Sequence, residues 1–175
     1  MIITEVWVPG NPRTKGSLTA KGGYAKDTVQ SSRWRALMAE QVRRDIAQRI
    51  TSAQLTGVAA PYEGAVDVEL VAFLAVPSAA SVAETPAIWH NAGDVDKLAR
   101  NVLDAIAADA RSAIMNGGAI VNDNQVIRLV AEKYAAAPGE QGLWLRVETV
   151  DQAGLEYVAN ARRQALATFR RAAGR

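Results

Sequence analysis

The chain has 175 residues, 49% hydrophobic and 22% charged, with a formal net charge of +2, an ordinary globular composition with enough chain for one well-buried core and too little for two. It has no cysteine, which removes disulfides, thiolate nucleophiles and cysteine-based zinc sites. No stretch approaches the roughly 18 apolar residues of a membrane-spanning helix, and MIITEVWVPG lacks a basic region followed by a long apolar run, so a soluble cytoplasmic protein without a membrane partner is expected.

Taken in chain order, Ile2 to Val8 alternates and is rich in β-branched residues, which predicts a strand ended by Pro9-Gly10. Residues 10–30 hold Pro12, Gly16, Gly22 and Gly23 and read as a loop. These glycines do not match a phosphate-binding loop closing on Gly-Lys-Ser/Thr, so no nucleotide cofactor is expected. From the N-cap candidates Ser31 and Ser32, the residues Trp34, Leu37, Met38, Val42, Ile46 and Ile50 recur at spacings of three and four, predicting a helix of about 18 residues. Thr51 to Gly64 is a connector. Ala65 to Val76 is a second strand, with Val66, Val68 and Leu70 on one face and Val71 and Phe73 on the other, the pattern of an interior strand.

Residues 77–93 lack periodicity and form a long loop, of the kind more often functional than idle. Leu98, Val102, Leu103 and Ile106 then predict a second helix reaching Ala110, with Asp96 at its cap. Ile120-Val121, the polar turn Asn122-Asp123-Asn124 and Val126 to Tyr134 read as a hairpin, and Pro138-Gly139 turns the chain into a last strand, Leu143 to Val150. In the tail, Leu155, Val158, Ala161, Ala165 and Phe169 lie near helical spacing. The fold class is therefore α+β, a mixed sheet packed against two main helices with an added C-terminal helix. Residues 1–150 form the domain and 151–175 a basic extension.

Charge is unevenly spread. Residues 10–49 carry nine Lys/Arg against three acids, the last sixteen residues add five arginines and no acid, and the acids Glu84, Asp94, Asp96, Asp104, Asp109 and Asp123 fall between. Basic ends around an acidic middle suit a protein that binds a polyanion and holds a divalent cation, although basic ends are also common solvated surface. Arg13, Lys15, Lys21 and Lys26 read as a basic arm for a DNA backbone. Trp34 and Trp144 fit core or dimer packing, Trp7 and Trp89 are placed to stack on exposed bases, and His90 is a loop histidine beside Trp89.

Asp94-Val95-Asp96 lies where the chain leaves a loop for a helix, and side chains at i and i+2 of extended backbone point the same way. Two carboxylates aimed at one point suit Mg²⁺, a hard cation that prefers oxygen ligands. Arg100, one turn on, is placed to neutralise charge on a phosphate, with Lys97 and Asp104 on a neighbouring face. Asp123, in a turn, is the third candidate ligand. Spacing alone leaves the bland alternatives open: Asp-x-Asp at a helix start is often capping, and Asn-Asp-Asn is often a turn.

The run Gly93-Asp94-Val95-Asp96-Lys97-Leu98-Ala99-Arg100-Asn101-Val102-Leu103-Asp104-Ala105-Ile106, followed by Val121-Asn122-Asp123-Asn124-Gln125-Val126, resembles the RusA family of Holliday junction resolvases. Pro9 to Ser17 and Ser31-Ser32-Arg33-Trp34-Arg35 resemble phage and prophage members of that family. The resemblance covers roughly residues 1–150. It implies a RusA-like fold in which Asp94, Asp96 and Asp123 hold Mg²⁺, with Mn²⁺ as substitute, and Arg100 takes the place of the essential basic residue. It also implies a homodimer that nicks a four-way DNA junction symmetrically in recombination and repair, with Lys97 and the basic arm on the DNA. It further implies a bacterial or phage-borne gene.

Four departures stand out. Arg100 replaces the more usual lysine, Lys97 stands where asparagine is often found, Asn122 replaces the first acid of an acidic pair, and Ala107 to Gly118 is long. The changes at 97, 100 and 122 motivate one alternative, a branched-DNA-binding protein whose active centre has decayed; a second is a nuclease acting on forks or packaging intermediates.

Overall fold

The computed structural model describes residues 1–14, 29–55, 60–75, 94–108 and 118–172. The elements are β1 (Ile2–Pro9), α1 (Val29–Thr51), β2 (Val66–Ala75), α2 (Val95–Ile106), β3 (Val126–Ala136), β4 (Gly142–Thr149) and α3 (Gln152–Ala172). The four strands form one mixed sheet in the order β1-β4-β2-β3. β4 pairs antiparallel with β1 and β2, whereas β2 and β3 run parallel. The α+β class and the interior position of β2 follow the sequence expectation.

Alternation along the strands produces a one-sided core. Val66, Val68, Leu70, Ala72 and Leu74 of β2 are buried, as are Leu143, Leu145 and Val147 of β4. Against them pack Trp34, Met38, Val42 and Ile46 of α1 and Leu98, Val102 and Ile106 of α2, recurring at the three- and four-residue spacing that puts side chains on one helix face. Thr4 and Glu5 tie β1 to α1: the Thr4 hydroxyl and the Glu5 amide donate to Asp45 Oδ2 at 2.8 and 2.9 Å, and Arg49 Nε donates to the same oxygen at 2.7 Å.

The other sheet face carries no helix among the described residues. Trp7 packs on Phe73 with ring centroids 5.7 Å apart, and Phe73 on Tyr134 at 6.0 Å. Gly142 of β4 is needed there, because a Cβ at that position would come within 2.1 Å of Trp7 Cζ2.

Several local expectations are corrected. The first helix begins at Val29 and has 23 residues. Ser31, expected as a cap, lies inside it, its hydroxyl donating to Thr14 O at 3.2 Å. α2 ends at Ile106, because Ala107 and Ile120 close a parallel bridge; the expected extension to Ala110 runs outside the described residues. No hairpin spans 120–134 either. α2 carries the chain back to the end of the sheet where β2 began, and a helical crossover delivers a parallel neighbour, so β3 pairs with β2 and not with the segment before it. The long loop 77–93, with Trp89 and His90, and the glycines at 16, 22 and 23 lie outside the described residues.

Candidate active site

Asp94 is the N-cap of α2, with extended backbone at φ −78 and ψ 139, and its main-chain carbonyl accepts the Leu98 amide at 3.1 Å. The expected cap was Asp96. The chain reaches helical geometry at Val95, so Asp96 falls in the first turn. Asp94 makes no side-chain capping bond; its exposed carboxylate instead bonds the Lys97 ammonium one turn on. That bond and charge hold the Asp94 carboxyl below its ordinary range, with a further contribution from Lys133, and Asp94 in turn raises the Lys97 pKa. Negative charge is favoured at a helix N-terminus, where unpaired amides and the helix dipole point outward.

Asp96 and Arg100 are both exposed. Neither makes a side-chain hydrogen bond or ion pair among the described residues. They are thus open to solvent and to a ligand, in contrast to Asp104, which lies 3.9 Å from Arg35 Nη1 across the α1–α2 seam.

Two residues overlooked in the sequence join this end of α2. Lys133 of β3 pairs with Ala72 on the helix-covered side of the sheet and lies close enough to Asp94 to lower its pKa. Its signal was a charge in register with Leu129 and Ala131. Asn101 is completely buried. Its Oδ1 accepts Arg35 Nε at 2.9 Å, and its Nδ2 donates to Arg13 O at 2.7 Å and Ser31 Oγ at 3.4 Å. A polar residue within the apolar stripe of a helix was its signal, since buried polar groups need partners. Through Asn101 the backbone of Arg13 is pinned beside α2. The other residues of the expected basic arm, Lys15, Lys21 and Lys26, lie outside the described residues.

Asp123 stands elsewhere. It opens a 3-10 turn, Asp123–Gln125, closed by a capping box. Asn122 Oδ1 accepts the Asn124 amide at 3.0 Å, and Gln125 Oε1 accepts the Asn122 amide at 2.8 Å. Gln125 Nε2 then donates to Tyr62 O and Gly64 O, both at 2.8 Å, anchoring the turn at the start of β2. An amide at 122 performs the capping that an aspartate would, so this departure leaves the turn intact. The Asp123 carboxylate is exposed and makes no hydrogen bond or ion pair among the described residues. Beside it is a shallow hollow lined by Glu63, Val121, Asn122, Asn124 and Gln125.

The two carboxylate positions therefore occupy opposite ends of α2. Asp94 lies near Lys133, well along β3, whereas Asp123 precedes the first residue of that strand. The helix between them rises roughly 18 Å over its length. Among the described residues no three histidine or acidic side chains gather closely enough to hold a metal ion.

The family model described as Endodeoxyribonuclease RusA matches residues 9–141. The chain belongs to this endodeoxyribonuclease family. No curated protein matches the chain. The RusA match takes in both ends of α2, the Asn101 anchor and the turn at Asp123, and it stops before β4 and α3.

Proposed function

We propose that this RusA-family chain is a Mg²⁺-dependent, structure-specific endonuclease that resolves four-way DNA junctions as a homodimer by paired symmetric nicks, in recombination and repair. Its setting is the bacterial cytoplasm, from a bacterial or phage gene. The observation that carries the reading is the family match across a chain with two exposed carboxylates at one end of α2 and a third on a clamped turn at the other.

The side chains at the helix start suit a hard cation, which takes one or two protein carboxylates and completes its shell with water and phosphate oxygens. Asp94 and Asp96 would hold it, with Mn²⁺ as substitute. When bound, the cation supplies Lewis-acid stabilisation and an acidified water for phosphodiester hydrolysis. Among the described residues one chain offers two acids at this end, against Lys97, Arg100 and Lys133. A dyad-related copy that brings its Asp123 turn to this helix end completes the acid set twice, once for each strand to be nicked. Arg100 neutralises charge on the scissile phosphate. Lys97 turns from Asp94 to DNA phosphate. Arg13, held by Asn101, starts a basic arm that continues through Lys15, Lys21 and Lys26 and positions the backbone without reading sequence.

A synthetic four-way junction with Mg²⁺ should give paired nicks, and Asp96→Asn should remove them. Wild-type protein that binds the junction but never cuts it, with Mg²⁺ or Mn²⁺, overturns nuclease function in favour of a branched-DNA binder. The Lys97–Asp94 pair is the observation favouring that second reading, since the ammonium occupies a carboxylate the cation requires. Rates on junction, fork and linear duplex separate junction resolution from action on forks or packaging intermediates.

A further inference from the structure

Among the described residues, the helix-free face of the sheet and the helix α3 are two surfaces left without a match. On the sheet, Trp7, Phe73 and Tyr134 form an aromatic row across the strands, with Trp7 46% and Tyr134 39% exposed. Strand register puts Val71 beside Trp144 on the same face. Around this apolar centre, Glu5, Asp67, Glu69, Glu132 and Glu148 outnumber Arg128 and Arg146, a balance of −3. Such a face repels nucleic acid phosphate and attracts a cationic amphipathic segment.

α3 is such a segment. Leu155, Val158, Ala161 and Ala165 follow helical spacing, Leu155 is 41% exposed, and the helix carries Arg162, Arg163, Arg170 and Arg171 against one acid, Glu156, a balance of +3. It does not pack along any other described element. Only Val150 and Asp151 separate it from β4. The Val150 amide donates to Ala65 O at 3.0 Å, and Asp151 Oδ1 accepts the Gly154 amide at 2.8 Å, so both ends of this short connector are held and α3 is set off from its own sheet.

We infer that α3 of one chain docks across the helix-free sheet face of a second copy, and reciprocally. The dimensions agree: the 21 residues of α3 rise roughly 31 Å at about 1.5 Å each, and the 10 residues of β2 extend roughly 33 Å at about 3.3 Å each. Two such contacts related by a dyad are on the scale of the roughly 1,600 Å² buried in stable specific interfaces. The amphipathic stripe meets the aromatic row, and Arg162 and Arg163 meet the surplus carboxylates. The inference deepens the homodimer reading above and says how the copies are held. Its test reads linkage and mass, so it stands or falls separately from cleavage.

The cysteine-free chain makes that test direct. Full-length chains carrying only Val71→Cys are mixed with chains carrying only Val158→Cys and treated with a short bis-maleimide. The expected product is a covalent heterodimer of doubled mass, lost when Leu155→Asp is added to the helix chain, with circular dichroism confirming that both variants are folded. In sedimentation, Leu155→Asp in the otherwise native chain should move the monomer–dimer midpoint about tenfold toward higher concentration, the scale of a lost interface anchor. Absence of the heterodimer overturns the inference. So does a chain carrying both cysteines that links only within itself, because α3 then folds onto its own sheet.

Discussion

The two ends of α2 differ in kind. At its start, Asp94, Asp96, Lys97 and Arg100 are charged and reach into solvent, and the one fixed contact among them is the Asp94–Lys97 pair. Past its end, Asp123 sits on a turn whose side-chain amides are tied to the turn itself and to the backbone ahead of β2, with Glu63 lining the hollow beside it. The first end is rich in charge and lightly held, whereas the second is poor in charge and rigid. In the proposed function each would supply half of a metal-dependent active site, since a divalent-metal nuclease needs acidic oxygens and a fixed geometry together.

Separating the halves in different chains tests the difference most strongly. Asp96→Asn and Asp123→Asn should each lower junction cleavage on the order of a thousandfold, the cost of losing a group that stabilises transition-state charge. Mixed together, the two inactive proteins should regain cleavage, because one site of each mixed dimer pairs an intact helix start with an intact turn, and nicking should fall on one strand at a time. Two inactive variants that stay inactive when mixed, under conditions where subunits exchange, would show that the acids act within one chain.

Rigidity at the turn is the next lever. Gln125→Ala removes two bonds to Tyr62 and Gly64 and one arm of the capping box, and should cost about 10- to 100-fold in cleavage, as losing a group that orients a metal ligand does, with junction binding unchanged. Equal cleavage by wild type and Gln125→Ala would mean that the turn needs no clamp. At the other end, Asn101→Ala removes the bonds that Asn101 makes to Arg13 O, Ser31 Oγ and Arg35 Nε. A stability loss of about 2 kcal/mol is expected from the hydrogen bonds lost at this buried position, read as a fall in denaturant midpoint, together with weaker junction binding as the arm at Arg13 loosens.

These contrasts also explain what the sequence displayed and what it concealed. Strand alternation and helical spacing are local, so the alternating residues of β2 and the stripe Trp34, Met38, Val42, Ile46 could be read directly. Strand order could not, because the parallel partnership of β2 and β3 depends on where α2 returns the chain. The same blindness hid the separation of the acids. Asp94, Asp96 and Asp123 lie within thirty positions of one another, yet that span is crossed by a helix that carries them apart. Asn101 and Lys133 carried a local sign, a polar group in an apolar register, but their partners come from distant elements.

The smallest expected effect is a pH effect at the helix start. The Lys97 bond and charge hold the Asp94 carboxyl below its ordinary value of 3.8. A depressed carboxyl lends stability that is fully present above that ordinary value and is lost as pH falls through the lowered one. The raised pKa of Lys97, whose ordinary value is 10.5, keeps the pair charged to the alkaline side, where its contribution fades only as pH climbs through the raised value. Across neutral pH the pair is therefore constant, and any pH dependence of cleavage between those limits arises from other groups. Lys97→Met should move the Asp94 titration midpoint, followed by carboxyl-carbon NMR, up toward 3.8, leaving only the weaker pull of Lys133. The same substitution frees Asp94 for a cation, so Mg²⁺ should bind the variant more tightly even where loss of a phosphate contact weakens its hold on DNA. An unmoved midpoint with unchanged Mg²⁺ affinity would show that Lys97 and Asp94 do not engage one another in solution, and the start of α2 would then be as unconstrained at Asp94 as it is at Asp96.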